Sequence, residues 1–275
     1  MSVESRLVKW WTILRISLEE RLVYRADFAL GTLMRFLPII TQILLIRAVF
    51  ASSGRDQIAG FTNDDVIAYY LLVLISRAFS SMPTLASGIA MEIREGDVKR
   101  YLIQPVDMIG FLLLKRIAWK LVYYAVALGP FTLVFFLCRG FFPGWPDMLT
   151  MAAYVASLLM AFFIGFFLEA LIGMVGFWFL EVSSLLFIYM LLNFMLSGHM
   201  FPLNFLDRFP MIHMFFTALP FQYLAYFPAA VFLGKVTGMD LVEGLIIQSA
   251  WMMMFFVTCR LAYYCGVRRY SGYGG

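Results

Sequence analysis

The stretch Phe209-Pro210-Met211-Ile212-His213-Met214-Phe215-Phe216-Thr217-Ala218-Leu219-Pro220-Phe221-Gln222-Tyr223-Leu224-Ala225-Tyr226-Phe227-Pro228-Ala229-Ala230-Val231-Phe232-Leu233-Gly234 decides how often this chain crosses a membrane. Its 26 residues are enough to span, since about 20 apolar residues cross the hydrocarbon core. Pro210, Pro220 and Pro228 argue otherwise. Each removes a backbone donor and clashes with the preceding turn, leaving pieces too short to cross singly. Residues 209–234 therefore read as a re-entrant helical hairpin.

Outward from it, uninterrupted apolar runs lie at 28–50, 66–89, 108–137, 148–175, 182–201 and 241–264. With 63% hydrophobic against 14% charged residues and a mean hydropathy of +0.85, the chain reads as an all-α integral membrane protein rather than a soluble domain. Barrel strands would instead alternate apolar and polar residues. Basic residues set the orientation. Arg6, Lys9, Arg15, Arg21 and Arg25 precede the first run, Arg94, Lys99, Arg100, Lys115 and Arg116 flank the gap between the second and third, and Arg268 and Arg269 follow the last. All face the cytoplasm if the hairpin does not cross. That leaves Arg55, Arg139, Arg208 and Lys235 outside, in keeping with the positive-inside bias, whereas a seventh span would push Arg268 and Arg269 out.

The expected architecture is six transmembrane helices with both termini cytoplasmic: an interfacial segment at 1–27, a six-span domain at 28–266 and a tail at 267–275. In the first of these, Leu7, Trp10, Trp11, Leu14, Leu18 and Leu22 recur at helical spacing, as in an amphipathic helix anchored among headgroups. The charged start, with no discrete apolar core before a small-residue cleavage site, predicts no cleavable leader.

Motifs for covalent chemistry are missing from the sequence. The nearest approach to a phosphate-cradling loop, Gly234-Lys235-Val236-Thr237, lacks the upstream glycine, so no ATP hydrolysis is expected of this chain alone. His199 and His213 have no Glu or Cys at ligand spacing and read as structural or interfacial residues. Cys138, Cys259 and Cys265 read as packing residues, so no metal is expected. The net charge of +4 is explained by membrane edges and needs no nucleic-acid partner. Ionisable residues within the runs carry more information, because a charge at the bilayer centre costs about 3 kcal/mol on insertion scales. Arg35, Arg77, Glu169 and Glu181 are of this kind. Glu169 lies deep in the fourth run, where it can pair with a basic residue or line a polar cavity; with Arg35 it forms the candidate intramembrane polar site. Glu181 fits the short cytoplasmic turn before the fifth run.

Between the second and third runs sits a charged island with six charges in nine residues, Glu92 to Arg100. Its pattern, Ile93-x-Glu95-Gly96-Asp97-x-x-x-Tyr101-Leu102-x-x-Pro105-Val106, resembles the cytoplasmic loop between the second and third spans in permeases of type-2 ATP-binding-cassette exporters. Downstream, Ser197-Gly198-x-x-Phe201-Pro202-Leu203, then Leu219-Pro220-Phe221, Pro228 and Leu233-Gly234, is similar to the segment between that family's fifth and sixth spans. The resemblance implies a bacterial inner-membrane permease forming half of a translocation pathway. Its implied partners are a second permease subunit, identical or paralogous, membrane lipids, and two cytoplasmic ATPase subunits that carry the ATP and Mg; no cofactor is expected in this chain. It also implies a coupling helix at 92–105 seated in the ATPase, with Glu92, Arg94, Glu95, Gly96, Asp97, Arg100, Tyr101, Leu102 and Pro105 as contact or shaping residues. There Gly96 permits a sharp backbone change, Val98, Tyr101 and Leu102 present an apolar contact, the charges fix register, and Pro105 ends the helix. For the hairpin it implies an outer gate, with Pro202, Leu203, Pro220, Phe221 and Pro228 as its residues.

A secondary transporter or channel working without ATPases is the alternative. It predicts paired broken helices in two related halves, whereas only one proline-broken hairpin is seen. An intramembrane enzyme or scramblase would need a catalytic constellation that the sequence does not show.

Overall fold

The structure, a computed structural model, describes residues 3–22, 25–104, 106–142, 144–179 and 181–270, with side chains described for 8–19, 34 and, among those ranges, from 38 onward. Pro105 and the Arg35 side chain, both singled out above, lie outside what is described. In chain order the helices are α1 (Val3–Leu22), α2 (Arg25–Ser53), α3 (Asn63–Ser80), α4 (Leu85–Arg94), α5 (Lys99–Ile103), α6 (Met108–Leu137), α7 (Met148–Met174), α8 (Ser183–Leu196), α9 (Pro210–Ala218), α10 (Tyr226–Phe232) and α11 (Gly238–Arg269). A two-stranded hairpin, β1 (Gln57–Ile58) and β2 (Phe61–Thr62), precedes α3. Its two-residue loop places Ala59 at φ 49° and Gly60 at φ 78°, the left-handed pair that a tight hairpin needs.

Among the described residues, four helical stretches are long and apolar enough to cross a membrane: Asn63–Arg94, Met108–Leu137, Met148–Phe177 and Gly238–Arg269. Two shorter apolar helices, Pro38–Ser53 and Ser183–Leu196, occupy the first and fifth expected runs. The run at 66–89 is not one helix, because α3 stops at Ser80 and α4 starts at Leu85, with Thr84 at φ 64° between them. Pro83, which has no N–H to donate, falls in the gap. The run at 182–201 also stops early, at Leu196, where Gly198 takes φ 85° and the chain turns away.

The chain divides into two compact units. The first comprises residues 1–41 and 98–139. Within it α1 packs along α6. Asp107 caps α6 by accepting the Gly110 N–H at 2.7 Å, and a side chain at Gly110 would stand 3.2 Å from the Trp10 ring, so this glycine lets α1 close on the first turn of α6. Trp10 is half-buried while Trp11 is 68% exposed, so the aromatic pair divides its surfaces between α6 and the surroundings.

The second unit comprises residues 42–97 and 140–275. Its centre is α7, against which α3, α4, α10 and α11 all pack. Glycines permit the close approach: a Cβ on Gly165 would fall 2.1 Å from the Ser80 carbonyl oxygen, and one on Gly173 would fall 2.7 Å from that of Ala86. Gln248 of α11 donates to the carbonyl oxygens of Ser157 at 2.9 Å and Tyr223 at 3.3 Å, tying α11 to α7 and to the proline-cut stretch.

That stretch is broken as its prolines predict, into α9, a 3₁₀ turn at Pro220–Leu224, and α10. Its halves differ. No residue of α9 is buried, whereas Pro220, Pro228, Ala229, Ala230 and Val231 are, with α10 against α3 and α7. Irregular backbone is tolerated at membrane depth only where protein or water satisfies it. Here protein does so: the Tyr226 N–H donates to Ser197 O at 2.9 Å, and the Tyr69 hydroxyl donates to Gly198 O at 2.5 Å.

Candidate functional site

Glu169 shares one face of α7 with Gly165 and Gly173, at i−4 and i+4, and that face meets the gap between α3 and α4. A broken helix leaves backbone N–H groups unpaired. At this break the Met82 N–H donates to Glu169 Oε1 at 3.3 Å, and the Ser81 N–H bonds Arg77 O at 3.0 Å. The carboxylate therefore caps the gap while the two glycines bring the backbones close enough for it to reach.

Beside the break is a cavity of about 520 Å³. Arg77, Ser80, Ser81, Thr84 and Ser87 line it from α3, α4 and the gap; Glu169 lines it from α7; Tyr189, Asn193 and His199 line it from α8 and the turn that follows. Leu186, Met190 and Phe194 supply apolar wall. Two of the intramembrane ionisable residues, Arg77 and Glu169, thus meet at one cavity. His199, read from sequence as a structural or interfacial residue, joins them. The helical spacing of Gly165, Glu169 and Gly173 was the signal available for one wall; nothing local links that wall to Asn193 or His199. Sequence reasoning also passed over Lys120, which is 4% exposed inside α6 with its ammonium 5.6 Å from the Trp119 ring, and the buried Gln248.

The island takes a shape other than a single helix over 92–105. α4 runs into it and ends at Arg94, with Glu95 as its C-cap; Gly96 follows at φ 82°. The Asp97 N–H bonds Glu92 O at 2.9 Å and the Gly96 N–H bonds Ile93 O at 3.3 Å, the paired 6→1 and 5→2 bonds of a Schellman stop. The five-residue α5 comes next. Arg94, Glu95, Asp97, Lys99 and Arg100 are exposed, and Glu92 is half-buried. The apolar contact expected of Val98, Tyr101 and Leu102 divides. Val98 and Tyr101 turn inward, Tyr101 with its ring 5.7 Å from that of Phe111, while Leu102 and Ile103 stand 47% and 80% exposed. Glu181 lies in the turn between α7 and α8, where the hydroxyl and N–H of Ser183, helped by the charge of Arg94, hold its carboxyl below the usual range. That turn and the end of α4 share an edge.

At the far end of α3, the Lys235 ammonium lies 2.9 Å from Asp65 Oδ2 and donates to Gly60 O at 2.9 Å. Of the residues assigned to a gate, Pro202, Leu203, Pro220 and Pro228 are buried and Phe221 is partly so, its ring 6.4 Å from that of Tyr189.

A family model described as "ABC-2 family transporter protein" matches residues 36–274. No curated protein matches the chain.

Proposed function

This chain belongs to the ABC-2 transporter family, as its non-catalytic transmembrane component, and from that premise we propose that it forms half of an export pathway driven by separate ATPase subunits docked on the charged island. The observation that carries the reading is the continuity of α4. At one end its residues Ala86 and Ser87 line the cavity; at the other, Arg94 enters the island. Along its length it is seated on the α7 backbone at Gly173 and on the turn after α7 at Gly176, where a Cβ would stand 3.2 Å from the Ala90 Cα. A displacement at Glu95 to Asp97 therefore moves the cavity wall. Partner ATPases that bind two states of this lever with different affinity can drive one into the other.

Exposed charges at the island suit such docking by fixing register, and Leu102 with Ile103 offers the apolar contact. The protein is integral to a membrane; its six-span topology, cytoplasmic termini and inner-membrane location belong to the proposal, supported by the distribution of basic residues. A second permease, identical or paralogous, would complete the pathway, with ATP and Mg bound by the ATPases. The half of the hairpin buried against α3 and α7 would then serve as an outer gate, held by the Lys235–Asp65 pair.

The test is charge reversal across Glu95, Asp97 and Arg100 in the assembled complex. The expected result is loss of ATPase association and of cargo-stimulated hydrolysis, with the permease still folded. Intact association and stimulation would remove the island from the coupling role.

A further inference from the structure

We propose that the end of α11 carrying Tyr264 and Arg268 holds the phosphate of an anionic phospholipid, whose acyl chains lie along the apolar face of the same helix. The helix divides its surface in two. Gln248, Phe255, Cys259 and Gly266 are buried. Their side meets α7 and the turn after it, where a Cβ on Gly266 would stand 2.3 Å from the Phe177 ring. On the opposite side Met239, Ile246, Met253, Val257 and Leu261 are exposed, in one stripe at helical spacing. From Met239 to Leu261 the stripe rises about 33 Å at 1.5 Å per residue, which matches a hydrocarbon core of about 30 Å. Tyr264 and Arg268 continue the same face one and two turns further on, at head-group level.

Charge on this stretch has one sign. From Gly244 to Gly275 the sequence carries Arg260, Arg268 and Arg269 and no Asp or Glu, while Asp240 and Glu243 lie near the far end of the helix. Arg260 and Arg268 each lean back one turn onto a ring: Arg260 lies 5.6 Å from the centre of Phe256, and Arg268 lies 4.1 Å from that of Tyr264. Such stacking orients the guanidinium plane and leaves its N–H edge for an oxyanion. Arg268 also donates to the Tyr264 hydroxyl. Accepting there, the hydroxyl keeps its own proton to donate. Guanidinium and phenol thus present donors side by side, and a phosphodiester supplies both acceptor oxygens and the opposite charge. A soluble anion would satisfy the same donors; the apolar stripe continuous with them selects a lipid. Arg269 leaves the helix about 100° further round, off the stripe.

The binding does not depend on the transport reading above. It is measured on the purified full-length chain in dodecyl maltoside, without partner subunits. Native mass spectrometry is run with equal amounts of phosphatidylglycerol and phosphatidylcholine, which share the phosphate and differ in net charge. The expected result is retention of phosphatidylglycerol over phosphatidylcholine by roughly fivefold or more, about the worth of one arginine at an anionic surface. Arg268→Gln should remove that preference and Tyr264→Phe should weaken it. Arg269→Gln removes the same charge from the next residue and should leave the preference near its starting value. Both arginines are exposed, so unfolding midpoints without lipid should be the same in the two variants as in the parent.

Equal retention of the two lipids, or equal loss in Arg268→Gln and Arg269→Gln, overturns the proposal, since a general basic edge would then explain the binding. Displacement of phosphatidylglycerol by millimolar inorganic phosphate, but not by chloride at matched ionic strength, would identify a soluble-anion site and overturn it as well.

Discussion

Glu169 shows how one side chain can hold a fold and line a site together. Its carboxylate receives the Met82 N–H across the break between α3 and α4, where Pro83 has already removed one donor from the helix ladder. Replacing it with Ala leaves that N–H without its acceptor, a cost of about 1–3 kcal/mol for a buried group. Thermal unfolding in detergent should show a lowered midpoint for Glu169→Ala and recovery in Glu169→Gln, whose amide oxygen still accepts. Equal midpoints for Ala and Gln would mean that the cap contributes nothing. Gly96 is a second single-residue control point. At φ 82° a β-branched residue is strained by about 1–2 kcal/mol. Gly96→Val should therefore loosen the Schellman stop and reduce ATPase stimulation more than it reduces ATPase association.

Among the elements, α4 lines the cavity with Ala86 and Ser87 at one end and enters the charged island with Arg94 at the other. Its seat on α7 is backbone against backbone at Gly173, and across the break α3 sits in the same way at Gly165 under Ser80. Gly173→Leu forces Ala86 and Ile89 away, and overpacking of this kind costs about 1–3 kcal/mol. Its expected signature is a double one: a lower unfolding midpoint, and hydrolysis in the complex that no longer responds to cargo. A substitution at the exposed Gly88, where a Cβ meets nothing within 4 Å, supplies the control and should leave both measurements near their starting values. The proline-cut stretch was legible as short pieces because proline acts on its own neighbours. Its division into an exposed α9 and a buried α10 was not, since both halves are rich in apolar residues and the packing of α3 and α7 separates them.

Across the whole molecule the decisive question is which residues face which side. If the hairpin does not cross, single cysteines placed at Asp97 and Arg269 in a background free of Cys138, Cys259 and Cys265 should react with an impermeant maleimide only from the cytoplasmic side. Cysteines at Arg55 and Lys235 should react from the opposite side. Labelling of the Asp97 and Arg269 positions from opposite sides, as a seventh span would require, would overturn the six-span topology.

Local physics explains what was readable without tertiary structure. Apolar runs of membrane length, prolines that interrupt them and basic residues at their edges each act within a few turns of chain, so membrane class, helical character, the broken hairpin and the charged island were open to inspection of the sequence by itself. The meeting of Arg77, Glu169, Asn193 and His199 at one cavity was not. Neither was the inward turn of Val98 and Tyr101, nor the stop of α8 at Leu196. These depend on how closely glycines let separate helices approach and on which distant carbonyl or carboxylate receives a freed N–H. Such pairings join residues scores of positions apart, and no periodicity records them; only the packed structure decides them.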